Sequence, residues 1–311
     1  MKIMFMGTPE ISAVCLKKLI EDGHDIKAVV TREDKPRGRG NVMTPTPTKA
    51  LALENSIPVY EPKTLKDEAF AAVLDEIVPE LIVVVAFGKI LPLSVLEYPK
   101  YGCINIHGSL LPKYRGAAPM QRAIMDGEKI SGVTSMYMAE GLDTGDMLLT
   151  EEVEIKETDN FENVHDNLGE AGARVLLRTV EAAKRGELQP QKQDDSLSTY
   201  AQKIEKAECR LDFSMEARVL HNRIRGLSPF PLAFTTLPNG KLMKILSARY
   251  ENASHVGEYG KVVRADKNGI AVIAGNGLIV FETVVPEGKK AQSAADMING
   301  RQINVGDILG K

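Results

Sequence analysis

Tryptophan is absent from the 311 residues, and cysteine is scarce. The three thiols, Cys15, Cys103 and Cys209, lie far apart and form no Cys-x-x-Cys pair. That spacing supplies neither a disulfide framework nor a zinc ribbon, and it suits a reducing cytosol. None of His24, His107, His165, His221 and His255 sits in His-Glu-x-x-His or beside a cysteine at ligand spacing, so no metal is expected. The nucleotide fingerprints are missing too. Gly7-Thr8-Pro9 puts Pro9 and Ser12 where Gly-x-Gly-x-x-Gly needs glycine, and no phosphate-loop motif occurs. A nucleotide cofactor is therefore not expected. Without Gly-x-Ser-x-Gly, a nucleophile-elbow hydrolase is excluded. No apolar run approaches the ~20 residues of a membrane span, and residues 1–7 read as a short strand, not a signal peptide. A cytoplasmic protein with no membrane partner is expected.

What is present is ordinary in bulk: 43% hydrophobic and 26% charged residues with a net charge of −3. The length favours two domains. Residues 201–311 carry 16 Lys+Arg against 11 Asp+Glu, whereas residues 1–200 carry 23 against 31. A modestly basic tail domain points toward a polyanion such as RNA, although on charge alone chance scatter explains it as well.

Apolar runs at 2–6, 26–30, 81–86 and 103–107, with a weaker one at 57–60, alternate with amphipathic stretches at 10–22, 48–55, 65–77 and 117–126. This pattern predicts an α/β domain with a parallel, doubly wound sheet. Segments 131–138 and 147–155 add edge strands. Phe161, Val164, Leu168, Ala171 and Val175 recur at helical spacing, in a helix that stops at Arg185-Gly186. The polar stretch 187–200 reads as a linker. After a short helix near 214–225, turns such as Pro238-Asn239-Gly240, Lys267-Asn268-Gly269 and Gly275-Asn276-Gly277 separate short apolar runs. Such hairpins predict a small antiparallel barrel.

Two loops carry candidate chemistry. In Asn105-Ile106-His107-Gly108-Ser109-Leu110-Leu111-Pro112 a buried strand runs into a tight loop, and residues i and i+2 of a strand share a face. An amide donor at Asn105 thus stands beside an imidazole base at His107. Gly141-Leu142-Asp143-Thr144-Gly145-Asp146 adds a carboxylate in a glycine-flanked loop. Donor, base and carboxylate suit acyl transfer to an amine. A lone strand histidine is more often a satisfied core residue; the shared face with Asn105 and the two loops outweigh that here. Residues 31–49 form a long basic insertion with Arg32, Lys35, Arg37, Arg39 and Lys49 against Glu33 and Asp34. A phosphate backbone would suit it, and a solvated surface loop is the plain alternative.

Together these residues resemble the methionyl-tRNA formyltransferase family over nearly the whole chain. The shared motifs are Gly7-Thr8-Pro9-Glu10, Asp34-Lys35-Pro36-Arg37-Gly38-Arg39-Gly40, the Asn105–Pro112 segment, Arg115-Gly116-Ala117-Ala118-Pro119, the Gly141–Met147 segment and Pro286-Glu287-Gly288-Lys289-Lys290. The Asn-x-His-x-Ser-Leu-Leu-Pro pattern alone marks the wider group of 10-formyltetrahydrofolate enzymes; the basic loop and C-terminal domain narrow it. The resemblance implies a Rossmann-like, mostly parallel sheet with helices on both faces and a C-terminal OB-like β-barrel. The expected division is a catalytic domain at 1–188, a linker at 189–205 and a tRNA-binding domain at 206–311. It implies transfer of the formyl group of 10-formyltetrahydrofolate, the cosubstrate, to the α-amine of methionine on initiator tRNA, by a monomer. By motif, Asn105, His107 and Asp143 are the catalytic trio. Ser109, Leu110, Leu111 and Pro112 line the folate site, and the backbone around Phe87, Gly88, Ile90, Leu91 and Glu140 frames the pterin. Arg32, Lys35, Arg37 and Arg39 grip the tRNA.

Two departures stand out. Ile11-Ser12-Ala13-Val14 replaces the family's aromatic followed by a small residue, Val and Pro. Phe230 supplies the aromatic in Ser228-Pro229-Phe230-Pro231, where the family carries tryptophan. The rival readings are a formyltransferase acting on a sugar-nucleotide or other small amine, a 10-formyltetrahydrofolate hydrolase, and an RNA-binding protein with an inactive α/β domain.

Overall fold

The computed structural model describes residues 1–37, 42–253 and 257–311. The chain forms two compact units, interleaved along the sequence: residues 1–116, 130–154 and 165–201 make the first, and 117–129, 155–164 and 202–311 the second. No helix among the described residues is long and apolar enough to cross a membrane.

In the first unit, β1 (Lys2–Gly7), β2 (Asp25–Val30), β3 (Val59–Tyr60), β4 (Leu81–Val85) and β5 (Cys103–His107) pair in parallel in the order β3-β2-β1-β4-β5. Two antiparallel strands, β6 (Ile130–Tyr137) and β7 (Met147–Glu154), extend the sheet beyond β5. This is the mixed, mostly parallel sheet that the alternating pattern predicts. The strands are continuous apolar runs because both faces are covered. On one face Met4, Met6, Ala28, Val30, Ile82 and Val84 pack with Phe70 and Leu74 of the helix Glu68–Ile77. On the other, Ile3, Phe5, Val29, Leu81 and Val83 are equally buried. The helix α1 (Glu10–Glu21) buries Cys15, Leu16 and Leu19. Within Phe161–Arg185, a Cβ added to Gly172 would touch Ile106, Cys15 and Val133, so this helix lies on the same face as α1.

Local chemistry sets the helix ends. The Asp67 carboxylate accepts a hydrogen bond from Phe70 N at 3.0 Å and caps Glu68–Ile77. Thr46 Oγ1 caps Pro47–Glu54 through Lys49 N, with proline at the first helical position. The chain leaves β1 to build β2 and β3 on one side, then crosses to β4 and β5 on the other. The carboxyl ends of β1 and β4 are therefore a topological switch point, where open sheets form a ligand crevice.

In the second unit, β8 (Ala233–Thr236), β9 (Leu242–Glu251), β10 (Val262–Asp266), β11 (Gly269–Ala274) and β12 (Gly277–Pro286) form an antiparallel sheet in the order β8-β9-β12-β11-β10, with Gln292–Ser293 also paired to β12. The hairpins fall at the expected Asn-Gly turns. The OB-like barrel is not closed: among the described residues no ladder joins β8 to β10. Their outer edges are met instead by other segments. Leu211 N donates to Phe234 O beside β8, and Val262 N donates to Asp307 O beside β10. Covering an edge in this way removes its unpaired backbone groups without closing the sheet.

The core of this unit joins Phe213, Leu220, Ile224, Ile245, Val272, Ile279 and Phe281. Met125 of the helix Pro119–Met125 belongs to it as well. Phe281→Ala removes a fully buried ring packed 6.3 Å from Phe213 and is expected to cost about 3–5 kcal/mol, measurable by urea denaturation. His221 is buried against Tyr250 with its Nδ1 unpartnered among the described residues. Burial, then repulsion from Arg225, with a further push from Arg218, lowers its pKa from the ordinary 6.5; Glu157 and Glu282 only partly oppose this. The unfolded chain then binds a proton that the folded one refuses. Stability contributed by neutral His221 is present above the unfolded pKa and falls as pH drops through the folded one. His221→Leu is expected to flatten the decline in melting temperature between about pH 7 and 5, measured by thermal unfolding.

Candidate active site

The carboxyl ends of β1, β4 and β5 gather the residues singled out in the sequence. At the switch point Ser12 Oγ donates to Val85 O at 2.6 Å and accepts from Thr8 N at 3.2 Å, joining the Gly7-Thr8-Pro9 turn to the end of β4. The loop after β4 turns sharply: Ala86 and Gly88 both have positive φ. Phe87 and Leu91 are buried beneath it, while Ile90 is 83% exposed. Lys89 Nζ donates to the carbonyls of Pro62 and Lys63, and Arg32 Nη2 donates to Gly88 O.

On β5, Cys103, Asn105 and His107 share a face. Cys103 lies in the core, where burial pushes its thiol up to about 12, leaving it an inert packing residue. Asn105 is half-buried, and its amide makes no hydrogen bond within the described residues. His107 is 6% exposed, with Nε2 2.9 Å from Tyr114 O. A carbonyl oxygen only accepts, so Nε2 donates this bond, and in the neutral imidazole Nδ1 is the nitrogen that carries the lone pair. Nδ1 faces Asp143 Oδ2 at 3.6 Å. The trio predicted from two separate loops is thus brought together at one strand end.

The loop after β5 is braced from within. Ser109 is fully buried, and its hydroxyl donates to Lys113 O at 2.6 Å. Thr134 of β6 donates to Ser109 O and accepts from Leu111 N. Leu111 is buried, and Leu110 lies over Gly132. Glu140 is exposed at the start of the second loop. Asp143 has φ +53°, and its Oδ2 accepts from Gly116 N at 2.8 Å.

Two model matches cover most of the chain: "Formyl transferase" over residues 1–180 and "Formyl transferase, C-terminal domain" over 203–302. Curated relatives run end to end. The methionyl-tRNA formyltransferase of Bacillus licheniformis is 46% identical over 99% of this chain and 98% of its own, and that of Halalkalibacterium halodurans 47% over 100% and 98%. The chain belongs to the methionyl-tRNA formyltransferase family. Solved structures outside it share the fold at lower identity. HypX from Aquifex aeolicus, in complex with tetrahydrofolic acid, has a TM-score of 0.67 at 17% identity over 97% of this chain, which spans 48% of HypX. WlaRD, a sugar 3N-formyltransferase, has a TM-score of 0.66 at 21% identity over 93% of this chain and 99% of its own.

For this family member the basic loop divides into a base and a tip. At the base, Thr31 and Thr46 hydroxyls meet at 2.9 Å, and Lys49 Nζ lies 2.8 Å from both Asp34 and Glu61. The hydrogen bonds it donates to Asp34 and then Glu61 hold the Lys49 ammonium above its ordinary pKa. With Arg32 on Gly88 O, two of the loop's cations serve the fold. Lys35 begins a short hairpin, Lys35–Arg37 with Val42–Thr44, and is exposed. Only the backbone of Arg37 is described, and Arg39 lies outside the described residues. No group of three or more His, Cys, Asp or Glu among the described residues could hold a metal.

Sequence reasoning passed over Arg115, Gln193, Asp195 and Thr134 as site residues. Arg115 stood in a quoted motif, which was its only signal. Gln193 sat in the polar segment read as a linker, yet it is 5% exposed and its Nε2 donates to the carbonyls of both Asp143 and Gly145. Gly145 is required by space: a Cβ there would collide with Tyr137 O. Gly145→Ala is therefore expected to displace the Asp143 loop and lower kcat at least 10-fold while the protein remains folded, as judged by steady-state kinetics beside circular dichroism.

Proposed function

We propose that Asn105, His107 and Asp143 carry formyl transfer from 10-formyltetrahydrofolate to the α-amine of methionine on initiator tRNA. The observation that carries this reading is an uncommitted amide and an imidazole at one strand end, with Nε2 of the imidazole held by Tyr114 O and a carboxylate 3.6 Å from Nδ1. The neutral amine attacks the formyl carbon, forming a C–N bond and a tetrahedral oxyanion. The Asn105 amide donates to that oxygen. His107 takes the proton released by the amine at Nδ1, because Nε2 is already committed to Tyr114 O. The carboxylate of Asp143 stabilises the imidazolium that results. Collapse breaks the bond to N10 of the folate, and the proton passes from His107 to that nitrogen, directly or through water. Atoms and charge balance without a metal or a nucleotide.

The folate is placed in the crevice at the switch point. A pterin edge needs paired donors and acceptors, which the backbone at 86–91 and 139–143 can offer beside Leu110, Leu111 and Pro112. Ser109 supports this wall from inside, since its hydroxyl is spent on Lys113 O. For the tRNA, the reading assigns the phosphate contacts to Lys35, Arg37 and Arg39 of the basic segment, with Arg32 bracing the crevice loop from below. The basic C-terminal domain, placed from residue 206 onward, adds further contacts to the RNA.

Asn105→Ala and His107→Ala are each expected to lower kcat by about 10²–10³-fold with little change in KM for methionyl-tRNA. In His107→Ala the rise of rate with pH that reports the base should vanish. The assay is formyl-methionyl-tRNA production from 10-formyltetrahydrofolate. Formate release without formylated tRNA would favour the hydrolase, and a formylated amino sugar would favour the sugar enzyme.

A further inference from the structure

Asp143 occupies a left-handed backbone conformation, uncommon for a non-glycine residue although aspartate adopts it more readily than most. Its carboxylate has one anchor, Gly116 N. Its backbone has another, Gln193. The Gln193 amide is fully committed: Nε2 donates to Asp143 O at 2.8 Å and Gly145 O at 2.7 Å, and Oε1 accepts from Arg115 Nε at 3.0 Å and Nη2 at 2.8 Å. Only one orientation satisfies this set, with two carbonyls on one side and a guanidinium on the other. Arg115 is 2% exposed. Burial opposes its charge, but Asp195 Oδ1 at 2.7 Å, together with Tyr200, more than offsets this and raises its pKa above the ordinary value. The backbone of Arg115 precedes Gly116, so both anchors of Asp143 lead to one buried cation.

The strand around that cation is itself strapped. Arg115 N donates to Thr199 O and Tyr114 N to Thr199 Oγ1, and Tyr200-Ala201 pairs in parallel with Arg115-Gly116. Met147 and Gln191 form a bridge on the far side of the loop. The segment 191–201 thus closes over the loop that carries the carboxylate.

We propose that Gln193 is a positioning residue for formyl transfer: through the backbone of Asp143 it sets the carboxylate against His107 Nδ1, with Arg115 fixing the amide's orientation. This rests on the catalytic assignment of Asp143. A polar side chain so thoroughly satisfied and so close to a catalytic loop restricts where the carboxylate can stand, and displacements of about 1 Å can cost 10²-fold in rate.

The test is a double-mutant cycle on the full-length protein with Gln193→Met, Asp143→Asn and the pair, measuring kcat, both KM values and melting temperature. Gln193→Met should lower kcat about 10- to 100-fold with both KM values within about 3-fold. In the Asp143→Asn background the same substitution should cost less than about 3-fold, because the group it positions is already gone. Losses that multiply in the double variant, or full kcat in Gln193→Met, overturn the proposal. Full activity in Asp143→Asn overturns instead the assignment of Asp143, and the proposal with it. Where Gln193→Met does not fold, Gln193→Glu serves: it keeps the contact to Arg115 and replaces the two donors by an acceptor, so it should show the same coupling.

Discussion

Burying both faces of the five parallel strands constrains everything else in the first unit. A sheet covered by helices on each side has no room for polar chemistry along its length, since an unpaired polar group there costs more than packing returns. Polar side chains are confined to the strand ends, where the backbone leaves the sheet. At the carboxyl ends of β1, β4 and β5 they meet. Asn105 and His107 stand two residues apart on the last parallel strand because strand geometry puts i and i+2 on one side. Cys103, one step deeper on the same face, is already a core residue.

From that confinement follows the need for bracing. The loops at this edge are tied down by specific bonds: Ser12 to Val85, Thr134 to the loop after β5, Lys89 to Pro62 and Lys63, Arg32 Nη2 to Gly88. Such bonds add modest stability each, and together they hold the uncommitted Asn105 amide and the imidazole of His107 in place. Preorganised donors and bases of this kind are what an acyl transfer requires, because they need not reorganise as charge develops.

Much of the fold was legible as pattern. The alternation of apolar runs and amphipathic stretches predicted the parallel sheet, and the Asn-Gly turns predicted the C-terminal hairpins, because both depend on local periodicity and turn chemistry. Closure of those hairpins into a barrel was not legible. It depends on which segments reach the outer edges of β8 and β10, and there the residues around Leu211 and Asp307 arrive first. Asn105, His107 and Asp143 stood out as candidates through motif and, for the first two, a shared strand face. Gln193 was invisible, since a glutamine between lysine and aspartate in a polar stretch looks like solvent-exposed chain. Arg32 looked like a cation awaiting phosphate, and its bond to the Gly88 carbonyl was not legible.

The amino-acid sequence by itself determined the element order, the apolar cores, the strand face shared by Asn105 and His107, and the family. Each of these is carried by neighbours in the chain or by residue identity. Tertiary structure decided which nitrogen of His107 is held by Tyr114 O, and the approach of Asp143, through Gly116. It also turned 191–201 into a strap, through Gln193 and Arg115. These features depend on contacts between residues up to about eighty positions apart, which only the folded sheet and its loops bring within hydrogen-bond distance.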